Sequence, residues 1–454
     1  MSVDALNNEE IKKLLTEKKY DIIRTRLANT DPADLADMMD ELDAGHIEQI
    51  FGILDNTTAS EVMAEMESDV DEFIDAIPPK RLAAIIQKMA PDDAVDILNE
   101  LNTEEKEKVL LLLTSQEQHK LRQLSSYEDD SGGGIMTPEL CAVNGDFTVE
   151  QTINNLAKTN FTDPVNAVFA VTADKKLIGY IHISKLISQP RSAKIKDVVE
   201  PNPVYAMVDE DQESIALKFM KYDLHVMPVV NENMVLVGRI TADDVMDVID
   251  EEAAEDLAHM AGAPDIGIHE DSPFSIVRLR LPWLLITMFT GMLVSLVVNR
   301  IINLNGAETM AAFVPVILAM GGNTGMQATA VTVRNIALGE IKFNHLMGVF
   351  ARELMVGAMM GCVCGIIAAV IVYINLSLLV NIKATYPIVK LCMIVGFSML
   401  TAMSFAAFSG TIMPIMLNRF KIDPAVASGP FVTTSNDLSA SLIYLLMCTV
   451  LLSI

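Results

Sequence analysis

The sequence DPAVASGPFVTTSNDLSAS at residues 423–441 places one carboxylate, Asp437, inside a long apolar segment. Asp437 is the single charged residue in this segment, which runs from Pro424 to Ile454 and is long enough to cross about 30 Å of hydrocarbon. A carboxylate at that depth costs about 2.5–3.5 kcal/mol on insertion scales, so such residues usually face a cavity or a partner. The segment therefore predicts a membrane helix with a functional acidic residue.

Oxygen-bearing side chains precede Asp437 directly: Thr433, Thr434, Ser435 and Asn436. Such oxygens suit a hard cation or its water shell. The Gly429–Pro430 pair predicts an irregular turn, which membranes tolerate mainly beside protein or a water-filled cavity. The alternative is that Asp437 only hydrogen-bonds a neighbouring helix.

Outward from this stretch, the C-terminal part of the chain predicts five membrane spans: Leu281–Val298, Thr309–Val333, Leu354–Ile382, Leu391–Asn418 and Pro424–Ile454. Seven of the basic residues fall on one side: Arg278, Arg280, Arg334, Lys342, Arg352, Arg419 and Lys421. Three fall on the other: Arg300, Lys383 and Lys390. The richer side is expected to be cytoplasmic. This predicts a multi-pass plasma (inner) membrane protein with a cytoplasmic N-terminal part and an outside C-terminus.

The second span contains GGNTGMQ at residues 321–327, and the sequence predicts a break in the helix there. Its glycines are compatible with close helix packing, the ordinary role of small residues in membranes. Its polar residues Asn323, Thr324 and Gln327 are equally compatible with the lining of a pore.

Charge divides the chain sharply. The formal net charge is −27, and residues 1–280 alone carry −30 while residues 281–454 carry +3. Such an acidic half repels nucleic acid, whose binding needs clustered Lys and Arg, and attracts multivalent cations. The ordinary alternative is that the acidic surface only maintains solubility. The sequence has no nucleophile–base pair and no histidine metal motif, and its five cysteines form no CxxC pair, so an enzyme is not expected.

The region 1–127 predicts successive short helices. Three similar units, at 31–42, 78–89 and 91–101, each place proline at a helix start followed closely by charged residues. Proline at the first helical position loses nothing, because its missing N–H has no partner there. Stacked hairpins or a short solenoid follow, with a generic helical bundle as the alternative.

Residues 128–250 begin with a glycine-rich linker and contain two copies of one pattern. In each copy, two apolar strands flank a polar turn, a glycine follows (Gly179 or Gly238), and a helix begins shortly afterwards. This arrangement resembles a tandem of CBS domains, here at 128–195 and 196–248. The resemblance implies an adenine nucleotide such as ATP as a cofactor, held in the second copy by Thr241 and Asp244. The alternative for Thr241 is helix N-capping.

The order of the parts is distinctive: an acidic helical domain, a CBS pair, an acidic helix and five spans. The second span carries PVILAMGGNTGMQATAVTVRNIALGEI at residues 315–341. With the 423–441 stretch, the chain resembles the MgtE family of bacterial magnesium channels over nearly its full length. The fold class implied is a multidomain α and α/β membrane protein: a helical, solenoid-like domain at 1–127, the CBS pair, an acidic plug or connecting helix at 249–275, and a five-helix transmembrane domain at 276–454.

The resemblance also implies function: a magnesium-selective homodimer with a pore at the subunit interface. Mg²⁺ would meet Asp437 of each chain, with oxygens near Asn323 and Ala427 completing the ring. The family's sensor positions fall on these residues: Asp92, Asp96, Glu213, Asp223, Asp244, Asp247, Glu252, Glu255 and Asp256. Mg²⁺ between these acidic faces would relieve their repulsion and close the pore. Two departures from the family pattern, Met326 and Asn436, are expected to affect ion selectivity.

Two alternatives come from other classes of protein. One is a secondary transporter of another substrate, whose CBS pair senses adenine nucleotides and whose acidic surface is incidental. The other is a non-conducting magnesium receptor, in which the membrane part is only an anchor. The intramembrane Asp437 disfavours an anion pathway, and the polar residues of the second and fifth spans disfavour a mere anchor.

Overall fold

The structure of the protein is a computed structural model. It describes residues 8–27, 30–40, 42–66, 73–74, 77–159, 165–262, 273–304, 308–338, 341, 346–379, 386–425 and 429–453. The chain divides into two compact units, Met1–Ile249 and Asp250–Ile454.

The N-terminal part of the first unit is all helical, as predicted. Its described helices are α1 Asn8–Thr16, α2 Tyr20–Leu27, α3 Pro32–Asp40, α4 Ala44–Ile53, α5 Asn56–Ala64, α6 Pro79–Ile86, α7 Pro91–Glu100, α8 Thr103–Leu110 and α9 Ser115–Leu124. The helices α3, α6 and α7 each start at the proline of a repeat unit, which confirms the predicted helix starts. Side chains of Asp43, Asp55, Asn102 and Thr114 accept backbone N–H groups at four other helix starts. Such caps stabilise short helices by about 1 kcal/mol each.

Two similar α/β repeats follow. The first contains β1 Ala142–Asn144, α10 Val149–Leu156, β2 Ala167–Val171, β3 Leu177–His182, α11 Ile183–Ile187, α12 Ile195–Val198 and β4 Glu200–Pro201. The second contains β5 Ala206–Met207, α13 Gln212–Tyr222, β6 Val226–Val230 and β7 Leu236–Thr241.

The two repeats share strand pairing and register. In each, a parallel pair (β1 with β2, β5 with β6) adjoins an antiparallel hairpin (β2 with β3, β6 with β7). The hairpins place Gly179 opposite Ala170 and Gly238 opposite Val229, and both bulge one residue later. Every residue of β2 and β6 is buried, which explains their uninterrupted apolar sequences. The duplicated pattern predicted from sequence is confirmed.

The glycine-rich linker is packed against the second repeat. Gly132 and Gly133 donate backbone hydrogen bonds to the carbonyls of Glu210 and Val208, at 2.7 and 2.9 Å. A Cβ on Gly132 would lie 2.4 Å from the Met207 carbonyl oxygen, so glycine is required for this approach. The linker lies in the range predicted for the first CBS domain, but its pairing is with the second.

The acidic helix α14, Ala242–Ala261, begins directly after β7. It overlaps the plug segment predicted at 249–275 and starts earlier, inside the range predicted for the second CBS domain. Residues 263–272 of the predicted segment lie outside the described residues.

Among its described residues, the second unit contains five helices long and apolar enough to cross a membrane. They are α15 Pro273–Ile302, α16 Val314–Ala337, α17 Leu346–Ile374, α18 Ile388–Arg419 and α19 Pro430–Ser453. A short 3₁₀ turn, Glu308–Phe313, precedes α16, and a π turn, Asn375–Leu379, follows α17. The five predicted spans are confirmed.

Small residues hold α17 against α18. A Cβ on Gly361 would lie 2.9 Å from both the Cα and the carbonyl oxygen of Leu400, and one on Gly365 would lie 2.6 Å from the carbonyl oxygen of Gly396. Gly357, one turn earlier, is equally close to Ala407. Backbones approach this closely in membranes only where side chains are absent, and the contact gives α18 its central place in the bundle.

Candidate functional site

The glycines of GGNTGMQ form a face of α16 that receives α19. The predicted break in this span is wrong, because α16 is helical without interruption from Val314 to Ala337. The glycines serve packing instead. A Cβ on Gly321 would meet Ala440 Cβ at 3.3 Å, and one on Gly322 would meet Asp437 Oδ1 at 3.4 Å. The contacting residues of α19 lie three and four positions apart, as one face of a helix requires.

Asp437 therefore lies at the seam between α16 and α19, with its carboxylate over the bare backbone of Gly322. Asp437 is half-buried. Thr433, one turn earlier on α19, lies over the same glycine: a Cβ on Gly322 would be 3.6 Å from Thr433 Cγ2. Because glycine contributes no side chain, the Asp437 carboxylate faces the helix backbone there and not a side chain of α16. The seam thus places a half-buried carboxylate within a helix that is long and apolar enough to cross a membrane.

The polar residues of α16 divide between two environments. Asn323 and Gln327 are exposed on the surface of the described unit, one helical turn apart. Together with Thr324, they line a cavity of about 460 Å³ whose other walls are mostly methionine, valine and cysteine side chains. Thr324 is buried, and its hydroxyl donates to the Met320 carbonyl at 2.7 Å.

Of the two remaining predicted pore residues, the structure describes Asn436 but not Ala427. Ala427 lies outside the described residues. Asn436, expected from sequence to be an oxygen donor, is buried, and its Oδ1 accepts a hydrogen bond from Ser409 Oγ of α18 at 2.5 Å. Its amide therefore contacts protein rather than an ion path.

The end of the acidic helix packs against the start of α19. A Cβ on Gly429 would lie 2.1 Å from the Met260 carbonyl oxygen, so the two backbones touch at this glycine. Gly262 adopts a left-handed φ of 71°, which favours glycine, and its Cα faces the Pro430 ring. The acidic helix is thereby held at the entrance of the span that carries Asp437.

Asp423, in the turn before α19, was not identified from sequence. Burial, together with the negative charges of Asp423 and Glu255, raises the pKa of the Asp256 carboxyl to about 6. The nearby His259, also on α14, opposes this rise in the Asp256 pKa. A lone Asp at the start of a span carried no sequence signal, since only the fold brings it near Asp256. A divalent cation at this pair would relieve the repulsion.

The other predicted sensor residues lie on separate elements of the first unit. Asp92 and Asp96 lie one turn apart on α7, Glu213 lies in the first turn of α13, and Asp223 ends that helix in a left-handed conformation. Asp247 and Glu255 are exposed on α14, and Glu252 is partly exposed. Within the described parts of the chain, no three or more His, Cys, Asp or Glu side chains converge to hold a metal ion. Their role stays a prediction.

Thr241 and Asp244, the predicted nucleotide contacts, form a cap at the start of α14. The backbone N–H and the hydroxyl of Thr241 both donate to Asp244 Oδ2, at 2.9 and 2.7 Å. The group that accepts these hydrogen bonds is the Asp244 carboxylate, so N-capping by the Thr241 hydroxyl, the alternative left by the sequence, stays a prediction. A carboxylate offers about four acceptor positions, so the same pair also suits the hydroxyls of a ribose.

Comparisons with known proteins agree with this architecture. Residues 314–447 match the family profile described as MgtE, divalent cation transporter, and residues 30–130 match the MgtE intracellular N domain. Residues 195–251 match the CBS domain. The magnesium transporter MgtE of Thermus thermophilus is 31% identical over 97% of this chain and 98% of its own length. The chain belongs to the MgtE family. It is a membrane transport protein and not an enzyme.

A second relative and one solved structure are also similar to this chain. The magnesium transporter MgtE of Bacillus subtilis is 28% identical over 95% of this chain and 94% of its own length. Among solved structures, the cytosolic domain of an Mg²⁺ channel MgtE in complex with ATP superposes with a TM-score of 0.50 at 29% identity. It covers 53% of this chain and 100% of that one.

Proposed function

We propose that this protein is a magnesium-selective channel whose conduction path passes Asp437. The observation that carries the proposal is the placement of the Asp437 carboxylate, inside a membrane helix and over the bare backbone of Gly322. The MgtE relatives named as magnesium transporters support Mg²⁺ as the ion. A carboxylate at this depth needs a compensating partner, and a conducted cation is one.

The chemistry of the site suits a hydrated ion. Mg²⁺ gives up its water reluctantly and is usually held through one or two carboxylates with several waters retained. We propose a homodimer in which Asp437 of each protomer faces the path. Asn323, exposed on the described protomer, and Ala427 would complete the ring of oxygens. The membrane orientation proposed has the N-terminal unit in the cytoplasm and the C-terminus outside.

The acidic parts would act as the sensor. High cytosolic Mg²⁺ would bind among the carboxylates of α7, α13 and α14 and favour the closed state. A ligand shifts such an equilibrium only by binding one state more tightly than the other. The pair Asp256 and Asp423 adds a position to this set, because Asp256 lies at the end of α14 that packs at Gly429. Closure would hold α14 against the start of α19.

A second role is proposed for the CBS pair, the binding of ATP or a related adenine nucleotide. Thr241 and Asp244 supply hydroxyl and carboxylate oxygens that suit a ribose. The ATP complex of the similar cytosolic domain supports this role. Equilibrium dialysis of the full chain with ATP tests it, and Asp244→Ala is expected to weaken binding.

The experiment that tests the pore is magnesium uptake into proteoliposomes by Asp437→Ala and the shape-conserving Asp437→Asn. Both variants are expected to fold, because removing a half-buried charge from a membrane helix relieves its desolvation. Both are expected to abolish transport. Undiminished uptake by either folded variant would refute the assignment of Asp437.

A further inference from the structure

A single amide next to Asp437 joins three of the membrane helices. Asn436 on α19 is 2% exposed, and its Oδ1 accepts the hydrogen bond from Ser409 on α18. Its other end lies against α16 where Gly325 has no side chain. A Cβ on Gly325 would lie 1.8 Å from Asn436 Nδ2 and 2.9 Å from its Cγ. The amide is therefore clamped between α16 and α18.

The surrounding helices leave this amide little freedom. Gly410 on α18 approaches α16 so closely that a Cβ there would lie 2.4 Å from the Gly325 carbonyl oxygen. Thr329 Oγ1 donates to the Gly410 carbonyl at 2.9 Å and fastens the same two helices. The crevice that receives Asn436 is thus built by backbone contact and not by adjustable side chains.

Packing alone does not account for an asparagine at this position. Asn436 Nδ2 is buried and has no hydrogen-bond partner among the described residues. A buried amide group without a partner is unfavourable, and an apolar side chain of similar size would fill the crevice without that cost. The asparagine is therefore expected to have a role besides filling space.

The fixed position of the Asn436 amide affects the next residue, Asp437. Adjacent side chains on a helix are fixed about 100° apart, so holding Asn436 fixes the direction of Asp437. At the radius of a side chain, about 6 Å from the helix axis, a rotation of about 10° moves the carboxylate by about 1 Å. Displacements of that size are enough to change the function of a polar site.

We propose that Asn436 is a positioning residue that sets the place of the Asp437 carboxylate and thereby the preference for Mg²⁺ over larger divalent cations. The inference rests on the proposed function of Asp437. Mg²⁺ needs a fixed spacing that accommodates its water shell, whereas Ca²⁺ accepts flexible, direct carboxylate ligation. A carboxylate free to move by about 1 Å is better suited to Ca²⁺ than a fixed one.

The experiment measures Mg²⁺ and Ca²⁺ flux in proteoliposomes that contain the full-length protein. Ser409→Ala removes the hydroxyl that holds the amide, and Asn436→Leu keeps the volume and removes the amide. Each is expected to lower the ratio of Mg²⁺ to Ca²⁺ flux by about fivefold, the effect of losing one hydrogen bond. The matched control is Ser404→Ala on the same helix, whose hydroxyl donates to the Leu400 carbonyl of its own helix.

A double substitution separates positioning from packing. Gly325→Ala places a methyl group where the amide lies and is expected to lower both thermal stability and the flux ratio. Adding Asn436→Ala makes room for that methyl group and is expected to restore thermal stability. The flux ratio is expected to stay low in the double variant, because the amide is gone.

The outcomes distinguish the two proposals. A wild-type protein that carries no Mg²⁺ would overturn the proposed function, and this inference with it. If the wild type conducts Mg²⁺ and both Ser409→Ala and Asn436→Leu keep the wild-type ratio of Mg²⁺ to Ca²⁺ flux, the positioning role alone would be overturned. Recovery of the flux ratio in the double variant would also overturn it, since packing would then be sufficient.

Discussion

A single methyl group on Gly322 is predicted to impair conduction without harming the fold. The Cβ of alanine would lie 3.4 Å from Asp437 Oδ1 and 3.6 Å from Thr433 Cγ2, which is ordinary van der Waals contact. Replacing glycine by alanine inside a helix favours the helix by about 0.5–1 kcal/mol. The melting temperature of Gly322→Ala is therefore expected to match or exceed that of the wild type.

The effect on transport is expected to have the opposite sign. The methyl group would lie against the carboxylate oxygen that is proposed to meet the hydrated ion, and a lost hydrogen bond to a charged group is worth about 1.5–3 kcal/mol. At about 1.4 kcal/mol for each factor of ten, Mg²⁺ flux at low concentration should fall by about tenfold or more. Gly322→Leu, which extends further into the seam, should abolish it.

The neighbouring glycine supplies the matched control. A Cβ on Gly321, one residue away on the same helix, would meet Ala440 Cβ at 3.3 Å, a tight apolar contact that needs Ala440 to move by a few tenths of an ångström. Gly321→Ala should therefore retain flux near the wild-type level, measured as Mg²⁺ uptake into proteoliposomes at matched protein density. Equal flux in the two alanine variants would refute the reasoning, because Asp437 would then not meet the ion at Gly322.

Three further predictions concern gating and assembly. With Asp256 at a pKa of about 6 from burial and the Asp423 and Glu255 charges, protonation below pH 6 should weaken cation binding there. Closure should then need more Mg²⁺ at pH 5.5 than at pH 7.5 on the cytosolic face, and an unchanged midpoint would contradict this. Neutralising the exposed carboxylates of α14 should leave the channel open at high Mg²⁺ in patch recordings, where normal closure would count against the sensor. Gly361→Leu places a side chain against the α18 backbone and should lower thermal stability far more than Gly291→Leu, whose side chain meets open space. Equal melting temperatures of the two variants would contradict the packing of α17 on α18.

Much of the architecture was predictable because its signals are local. Five charge-poor stretches of membrane-spanning length gave five helices, and prolines at helix starts marked α3, α6 and α7. The two CBS repeats were predictable because buried strands leave uninterrupted apolar sequences. Asp437 was identifiable because one charge in such a helix is costly and therefore exceptional.

The remainder depended on contacts between distant parts of the chain. Glycine in a membrane helix is compatible with both a break and a close approach, and only the packing of α19 on α16 decides between them. Asn436 reads as an oxygen donor beside Asp437, yet its orientation depends on Ser409, 27 residues away. Asp423 is a candidate site residue only because its charge acts on Asp256, and no spacing in the sequence indicates that these two residues are near each other.

A magnesium channel that is closed by its own ion should reveal itself in Mg²⁺ flux into proteoliposomes, measured with Mg²⁺ on the cytosolic face set low and then high. We expect Mg²⁺ flux at the low setting and its loss at the high setting. Neutralising the carboxylates of α14 is expected to abolish this difference. Flux that is indifferent to Mg²⁺ on that face would contradict the sensor, and no flux at either setting would contradict the channel.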